Sequence, residues 1–170
     1  MYALVREELY EYLATAPPLV EGLLDREVQV QPHGIDLSVG EVYRLDGPGV
    51  IGFASEVTQL PAGEPVTFDP EGWAHLPPGM YRVRLAERVN LPLHLFAMAW
   101  PRSSLLRMGV HIGTALWDAG YSGRGEVSLV VHNPRGIRLQ HRARIVQMMF
   151  FRLDRAPLRG YDGRYQGEGD

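Results

Sequence analysis

Glu126-Val127-Ser128-Leu129-Val130-Val131-His132 alternates polar and apolar residues, the two-residue period of a strand with one face buried. Tyr81 to Leu85 alternates in the same way, and so does Val28-Gln29-Val30-Gln31. Ile145-Val146-Gln147-Met148-Met149-Phe150-Phe151 is nearly continuous apolar sequence, which reads as a strand buried on both faces. Asp46-Gly47-Pro48-Gly49, Pro61-Ala62-Gly63 and Pro77-Pro78-Gly79 punctuate these runs as turns. The pattern predicts a mainly β fold, a distorted antiparallel β-barrel or jelly roll. It starts with a helix: Tyr2, Val5, Leu9, Tyr12 and Leu13 recur at helical spacing until Pro17-Pro18, and a second helical piece is expected over Leu19 to Leu24. Residues 1–170 thus form one domain, with a helical segment over 1–24 and a mobile tail over 159–170 rich in glycine, tyrosine and charge.

The bulk chemistry narrows the function. A chain of 170 residues that is 45% hydrophobic can bury a real core. Its net charge of -3 offers no general attraction to nucleic acid or an anionic membrane. All 17 cationic side chains are arginine. With no cysteine, disulfides, thiol catalysis and cysteine-ligated metals are excluded, and the six histidines form no short ligand motif. No signal peptide or membrane-length apolar run is visible, so a cytoplasmic protein without nucleic-acid or membrane partners is expected.

Chemistry concentrates between Trp100 and Gly123. Pro101-Arg102-Ser103-Ser104 offers a fixed cation and two hydroxyls before Leu105-Leu106, which suggests a short helix. Such a group suits phosphate oxygens, and it equally suits a helix capped by Ser103 or Ser104. Asp118 follows Leu116-Trp117 and precedes Ala119-Gly120-Tyr121, which reads as the end of a buried strand. A carboxylate there can orient a water, or accept backbone N–H groups in a hairpin turn. Asp36, between Ile35 and Leu37, reads as a turn-satisfied aspartate or a site residue; Gln147 needs a partner in the core or on a ligand; Tyr165-Gln166-Gly167 suits a closing segment or a disordered end.

In order, these stretches resemble the dUTPase and dCTP deaminase superfamily. Gln31 to Gly40 resembles its first signature, Pro101 to Leu105 its second, and Gly113 to Gly123 its third. Gly136-Ile137 with Ala143 to Gln147 resembles its fourth, and Tyr161 to Gly167 resembles the tail of the deaminase-like branch. The resemblance implies a dUTPase-like β-clip fold, a homotrimer with active sites between subunits, and Mg2+ held mainly by the triphosphate and waters. It implies that Arg102, Ser103, Ser104 and Gln147 grip phosphates and that Tyr121 packs on deoxyribose. Main-chain groups around Ile112 to Asp118, with Thr114, would read the uracil edge. Asp118 would activate the attacking water, Asp36 would touch metal-bound water, and Tyr165 and Gln166 would close over the nucleotide.

Two departures refine this. The deaminase branch has a glutamate base about ten residues beyond the aspartate; here Ser128 stands there and Glu126 precedes it. The long glycine-rich tail of common trimeric dUTPases is replaced by Tyr165-Gln166-Gly167-Glu168. Both draw the likeness toward the archaeal-type dUTPase group. The expected activity is dUTP diphosphatase, releasing dUMP and pyrophosphate; the alternative is a zinc-independent dCTP deaminase, alone or bifunctional.

Overall fold

The computed structural model describes residues 1–169, so Asp170 of the expected tail lies outside the described residues. The first third contains β1 (Tyr2–Ala3), α1 (Arg6–Leu13), β2 (Val20–Glu21), α2 (Arg26–Gln29), β3 (Val30–Gln31) and the long β4 (Gly34–Asp46). The middle contains β5 (Ala62–Pro65), β6 (Trp73–Leu76), β7 (Gly79–Leu85), β8 (Arg88–Asn90), β9 (Leu95–Pro101) and α3 (Ser103–Arg107). The last part contains β10 (Val110–Gly113), β11 (Ser122–Gly123), β12 (Glu126–Val131), β13 (Ile137–Gln140) and β14 (Arg144–Arg152).

Nine strands form one antiparallel sheet with the path β1-β14-β4-β7-β12-β10, while β3 and β5 join β4 and β9 joins β14. It curls into a half-barrel. Alternation drives the curl. Tyr81, Val83 and Leu85 of β7 and Val127, Leu129 and Val131 of β12 are buried, and their neighbours Arg82, Arg84, Glu126 and Ser128 turn to the other face. Register shifts between Val39 and Glu41 in β4, and between Arg144 and Val146 in β14, bend the sheet further. From Gly34 to Val39, β4 is buried without interruption because β3, β7 and β14 all lie against it. Gly34 is required there, since any Cβ would collide with the Met148 carbonyl oxygen.

The N-terminal segment departs from expectation. The helix α1 forms, with Leu9 and Leu13 buried, but residues 19–24 are not helical. Val20 and Glu21 instead pair with Val89 and Arg88 of β8, and Gly22 follows at φ +79°. Helix resumes only after Asp25, whose carboxylate caps the Val28 N–H at 3.1 Å. The alternation over Val28 to Gln31 therefore spans a helix end and a two-residue strand. The apolar run of β14 also differs: Ile145, Val146, Met148 and Phe150 are buried, but Gln147, Met149 and Phe151 are half-exposed, so one face stays open.

Candidate active site

The fold gathers the candidate residues into two clusters. The first lies where β9 turns into α3. The Arg102 N–H donates to the Ile145 carbonyl at 3.0 Å, fixing the turn against β14. The Arg102 Nε lies 3.1 Å from Asp36 Oδ2, and Arg144 NH1 donates to the same oxygen at 3.0 Å. Arg144 NH1 also donates to the Val28 carbonyl at 2.7 Å. Burial pushes the Asp36 carboxyl above its ordinary range, against the opposing pull of Arg102 and then Arg144. Asp36 is 2% exposed and already shared by two guanidiniums, which is poor chemistry for holding metal-bound water and good chemistry for aiming arginines. Among the described residues, the terminal nitrogens of Arg102 have no protein partner, and the side chain is 34% exposed.

Ser103 and Ser104 open α3 but neither hydroxyl caps it; Arg102 is the N-cap residue and no side chain closes the end. The capping reading of these serines therefore fails, leaving both hydroxyls exposed beside Arg102. Gln147 stands opposite Asp36 on β4 and Trp100 on β9, half-exposed, completing the cluster. Thr114 donates its hydroxyl to the Ala99 carbonyl at 2.9 Å, which places it on the flank of β9.

The second cluster surrounds a cavity of about 350 Å³ lined by Trp117, Asp118, Tyr121, Glu126, Ser128 and Tyr165, among others. Arg102, Ser103, Gln147 and Thr114 do not line it. Asp118 is exposed, not buried as the apolar Leu116-Trp117 approach predicts. Trp117 takes the buried place by bridging Ala97, and the chain turns out immediately after it. The Asp118 main-chain carbonyl accepts the Tyr121 N–H at 3.1 Å, but among the described residues its carboxylate accepts nothing. The turn is therefore closed by backbone, and the side chain is left without a structural task.

Tyr121 is 4% exposed, with its hydroxyl donating to Glu168 Oε1 at 2.9 Å and its ring edge-on to Tyr161. Burial, and then the Glu168 charge, push its phenol far above the ordinary value. Glu126 is held at 3.1 Å by Arg82 Nε and at 3.0 Å by Arg84 NH2. Ser128 turns its hydroxyl toward the Gly113 carbonyl, 3.4 Å away.

The tail is folded over this corner. Gln166 Nε2 donates to the Gly120 carbonyl at 2.9 Å, and the Ser122 N–H donates to Gln166 Oε1 at 3.0 Å. The Gly167 N–H donates to the Ser122 carbonyl and the Arg124 N–H to the Glu168 carbonyl, both at 2.8 Å. Gly120, at φ +86°, is needed twice: for the turn, and because its Cα side faces Gly160 so closely that a Cβ would lie 2.7 Å from the Gly160 Cα. Tyr165 is partly exposed at the cavity edge.

Sequence reasoning missed Arg144, Glu168 and the pairing of Glu126. The arginine sits in Arg142-Ala143-Arg144 without a local sign that it meets Asp36, 108 residues away. For Glu168, the signal was its place directly after Gln166-Gly167.

Among the described residues, no group of three or more histidines, aspartates or glutamates is placed to hold a metal ion. No helix of the described residues is long and apolar enough to cross a membrane.

Residues 6–153 match the dCTP deaminase-like family. A protein of Methanosarcina mazei named probable deoxyuridine 5'-triphosphate nucleotidohydrolase is 44% identical over 99% of this chain and 98% of its own length. One of Archaeoglobus fulgidus with the same name is 47% identical over 88% of both chains. A solved 2'-deoxycytidine 5'-triphosphate deaminase from Agrobacterium tumefaciens superposes with a TM-score of 0.65 at 23% identity, covering 87% of this chain and 47% of that one, and so speaks for the fold alone. The chain belongs to the dCTP deaminase-like family, as an archaeal-type member of the dUTPase and dCTP deaminase superfamily.

Proposed function

We propose that this chain hydrolyses dUTP to dUMP and pyrophosphate at sites completed between the subunits of a homotrimer. The names carried by its near full-length archaeal relatives support the substrate. One local observation carries the choice of hydrolysis over deamination. The cavity offers an unengaged carboxylate at Asp118, while Glu126 is bound by two arginines and Ser128 occupies the place where a deaminase base is expected. Deamination needs a base free to shuttle protons at the pyrimidine ring, and a carboxylate neutralised by two guanidiniums is a poor one.

The separation of the clusters supports the oligomer. Ala97 of β9 pairs with Trp117 beside Asp118, and Arg102 lies five residues further along, roughly 16 Å away at strand spacing. Arg102, Ser103 and Gln147 also line no part of the cavity that Asp118 borders, so a phosphate chain gripped by Arg102 runs outside that cavity of its own chain. A neighbouring copy supplies the missing half. The exposed side chains of Met98, Trp100, Leu106 and Leu116 share a groove with Thr114 and with Pro101, the residue before Arg102, and their burial between copies would stabilise the contact.

Within such a site, Arg102, Ser103, Ser104 and Gln147 bind phosphate oxygens, with the free guanidinium nitrogens and hydroxyls as donors. Magnesium arriving with the triphosphate supplies charge neutralisation. Tyr121 forms the wall against deoxyribose, held rigid by Glu168 and Tyr161, and main-chain groups near Thr114 meet the base. Asp118 accepts the proton of the water that attacks the α-phosphorus. Gln166 holds the tail closed over the corner, and Tyr165 stands at the cavity edge. Incubating the protein separately with dUTP and dCTP and resolving the products by anion exchange tests this: dUMP and pyrophosphate from dUTP are expected, and uracil nucleotides from dCTP would favour the deaminase.

A further inference from the structure

Among the described residues, four polar or charged side chains are buried: Gln29, Asp36, Ser38 and Glu87, the last with no exposure at all. The side chains of Gln29, Ser38 and Glu87 form one network, which reaches Asp36 through its main-chain carbonyl. Glu87, in the turn between β7 and β8, accepts the Ser38 hydroxyl at 2.6 Å and Gln29 Nε2 at 2.9 Å on Oε1. Its Oε2 accepts the Ser38 N–H at 2.8 Å, and Arg142 NH2 stands 3.7 Å from Oε1. Gln29 Nε2 also donates to the Asp36 carbonyl at 2.9 Å. Gln29 Oε1 accepts the N–H groups of Leu24 and Asp25 at 2.7 and 3.1 Å, fixing the start of α2. The neighbouring Val28 carbonyl is the acceptor that, with Asp36, holds Arg144.

A buried carboxylate is costly, and a hydrophobic side chain of similar volume would hold a strand pair at least as well. Here the carboxylate fixes both sides of the arginine cluster: Asp36 through β4, and the Val28 carbonyl through Gln29 and α2. We infer that Glu87 is a positioning residue for the phosphate clamp, setting the place of Asp36 and hence the aim of Arg102 and Arg144. The inference rests on the proposed role of Arg102 as a phosphate ligand. Glu87 does not touch the substrate; it acts through Gln29, Ser38 and Asp36.

Glu87→Gln keeps the shape and replaces one acceptor by an amide NH2. Turned toward Ser38, that NH2 meets a backbone N–H; turned the other way, it meets Gln29 Nε2, and Gln29 can recover only by flipping its amide, which gives up Asp36, Leu24 and Asp25 together. Two affinities separate positioning from general damage, both measured on the full-length protein. Titration calorimetry with magnesium pyrophosphate reads the clamp, and competition by 2'-deoxyuridine reads the nucleoside cavity. The expected result for Glu87→Gln is a rise of about tenfold in the pyrophosphate Kd, the weight of one misplaced charge-assisted contact, with deoxyuridine affinity within about twofold of wild type. Ser38→Ala, which deletes one donor and no charge, should shift pyrophosphate in the same direction by a smaller factor, so the test survives if Glu87→Gln does not fold. Unchanged pyrophosphate affinity in both variants, or equal loss of both ligands, overturns the inference. Absence of dUTP turnover by the wild type overturns the proposed reaction instead, and leaves the pyrophosphate titration readable.

Discussion

If Asp118 and Arg102 serve one site from two different chains, two dead variants should revive each other. Asp118→Asn removes the water's proton acceptor, and Arg102→Ala removes the phosphate grip; each alone should fall to about 1% of wild-type kcat or lower. The two positions stand roughly 16 Å apart along the protomer and Arg102 does not line the cavity that Asp118 borders, so neither variant damages the other's half-site. In randomly mixed trimers, a site is intact when its carboxylate comes from an Arg102→Ala chain and its guanidinium from an Asp118→Asn chain. In a closed ring with equivalent interfaces, every trimer holding both variants has one of its three sites intact, so about one third of wild-type activity should return in the captured mixed species. Co-expression with two different affinity tags and sequential capture supplies the mixed species, and pyrophosphate release is the assay. Activity no higher than that of the parent variants in verified mixed oligomers would refute the shared site.

Three further outcomes follow from the geometry. Asp118→Asn should leave the melting temperature within about 2 °C of wild type, because its carboxylate is exposed and without a protein partner, while kcat falls by about 10²–10⁴; a large stability loss would mean that the side chain is structural. Asp36→Asn keeps an acceptor oxygen but removes the charge that two guanidiniums share. Breaking a fully buried pair costs about 3–5 kcal/mol, and since Arg102 is 34% and Arg144 29% exposed, roughly 1–3 kcal/mol is expected, a drop of about 5 °C accompanied by a raised KM for dUTP. An unchanged melting temperature would mean the pair carries no weight. Burial chiefly raises the Glu168 carboxyl, so its contribution to tail docking is full below the ordinary glutamate range and is lost as pH rises through the raised value. Hydrogen exchange over residues 161–169, corrected for intrinsic rates, should therefore show protection falling from pH 5 to 7.5 in wild type and staying level in Glu168→Gln. A level wild-type profile would contradict the docked placement of Glu168.

The fold was legible wherever burial follows a strict period. Tyr81 to Leu85 and Glu126 to His132 alternate because one face of β7 and β12 meets the core and the other meets the cavity. The pattern failed between Leu19 and Gln31, where segments of two to four residues are too short to show a period. There the outcome was decided by Val20 finding Val89 and by Asp25 capping Val28. Of the candidate site, the types and order of Arg102, Ser103, Asp118, Tyr121 and Gln166 could be read along the chain. Their partition into two clusters could not, because it follows from where β9 crosses Trp117. The Asp36 environment was equally hidden: both guanidiniums reach it from distant parts of the chain, and the Glu87 network behind it joins residues 49 and 58 positions apart. Such long-range pairs leave no periodic trace.

The claim on which the chemistry turns is that a water held by Asp118 attacks the α-phosphorus. Running the reaction in 18O-water under single-turnover conditions and weighing both products tests it. One heavy oxygen is expected in dUMP and none in pyrophosphate. Label in the pyrophosphate would place the attack on the β-phosphorus and contradict the assigned roles of Asp118 and the arginine clamp.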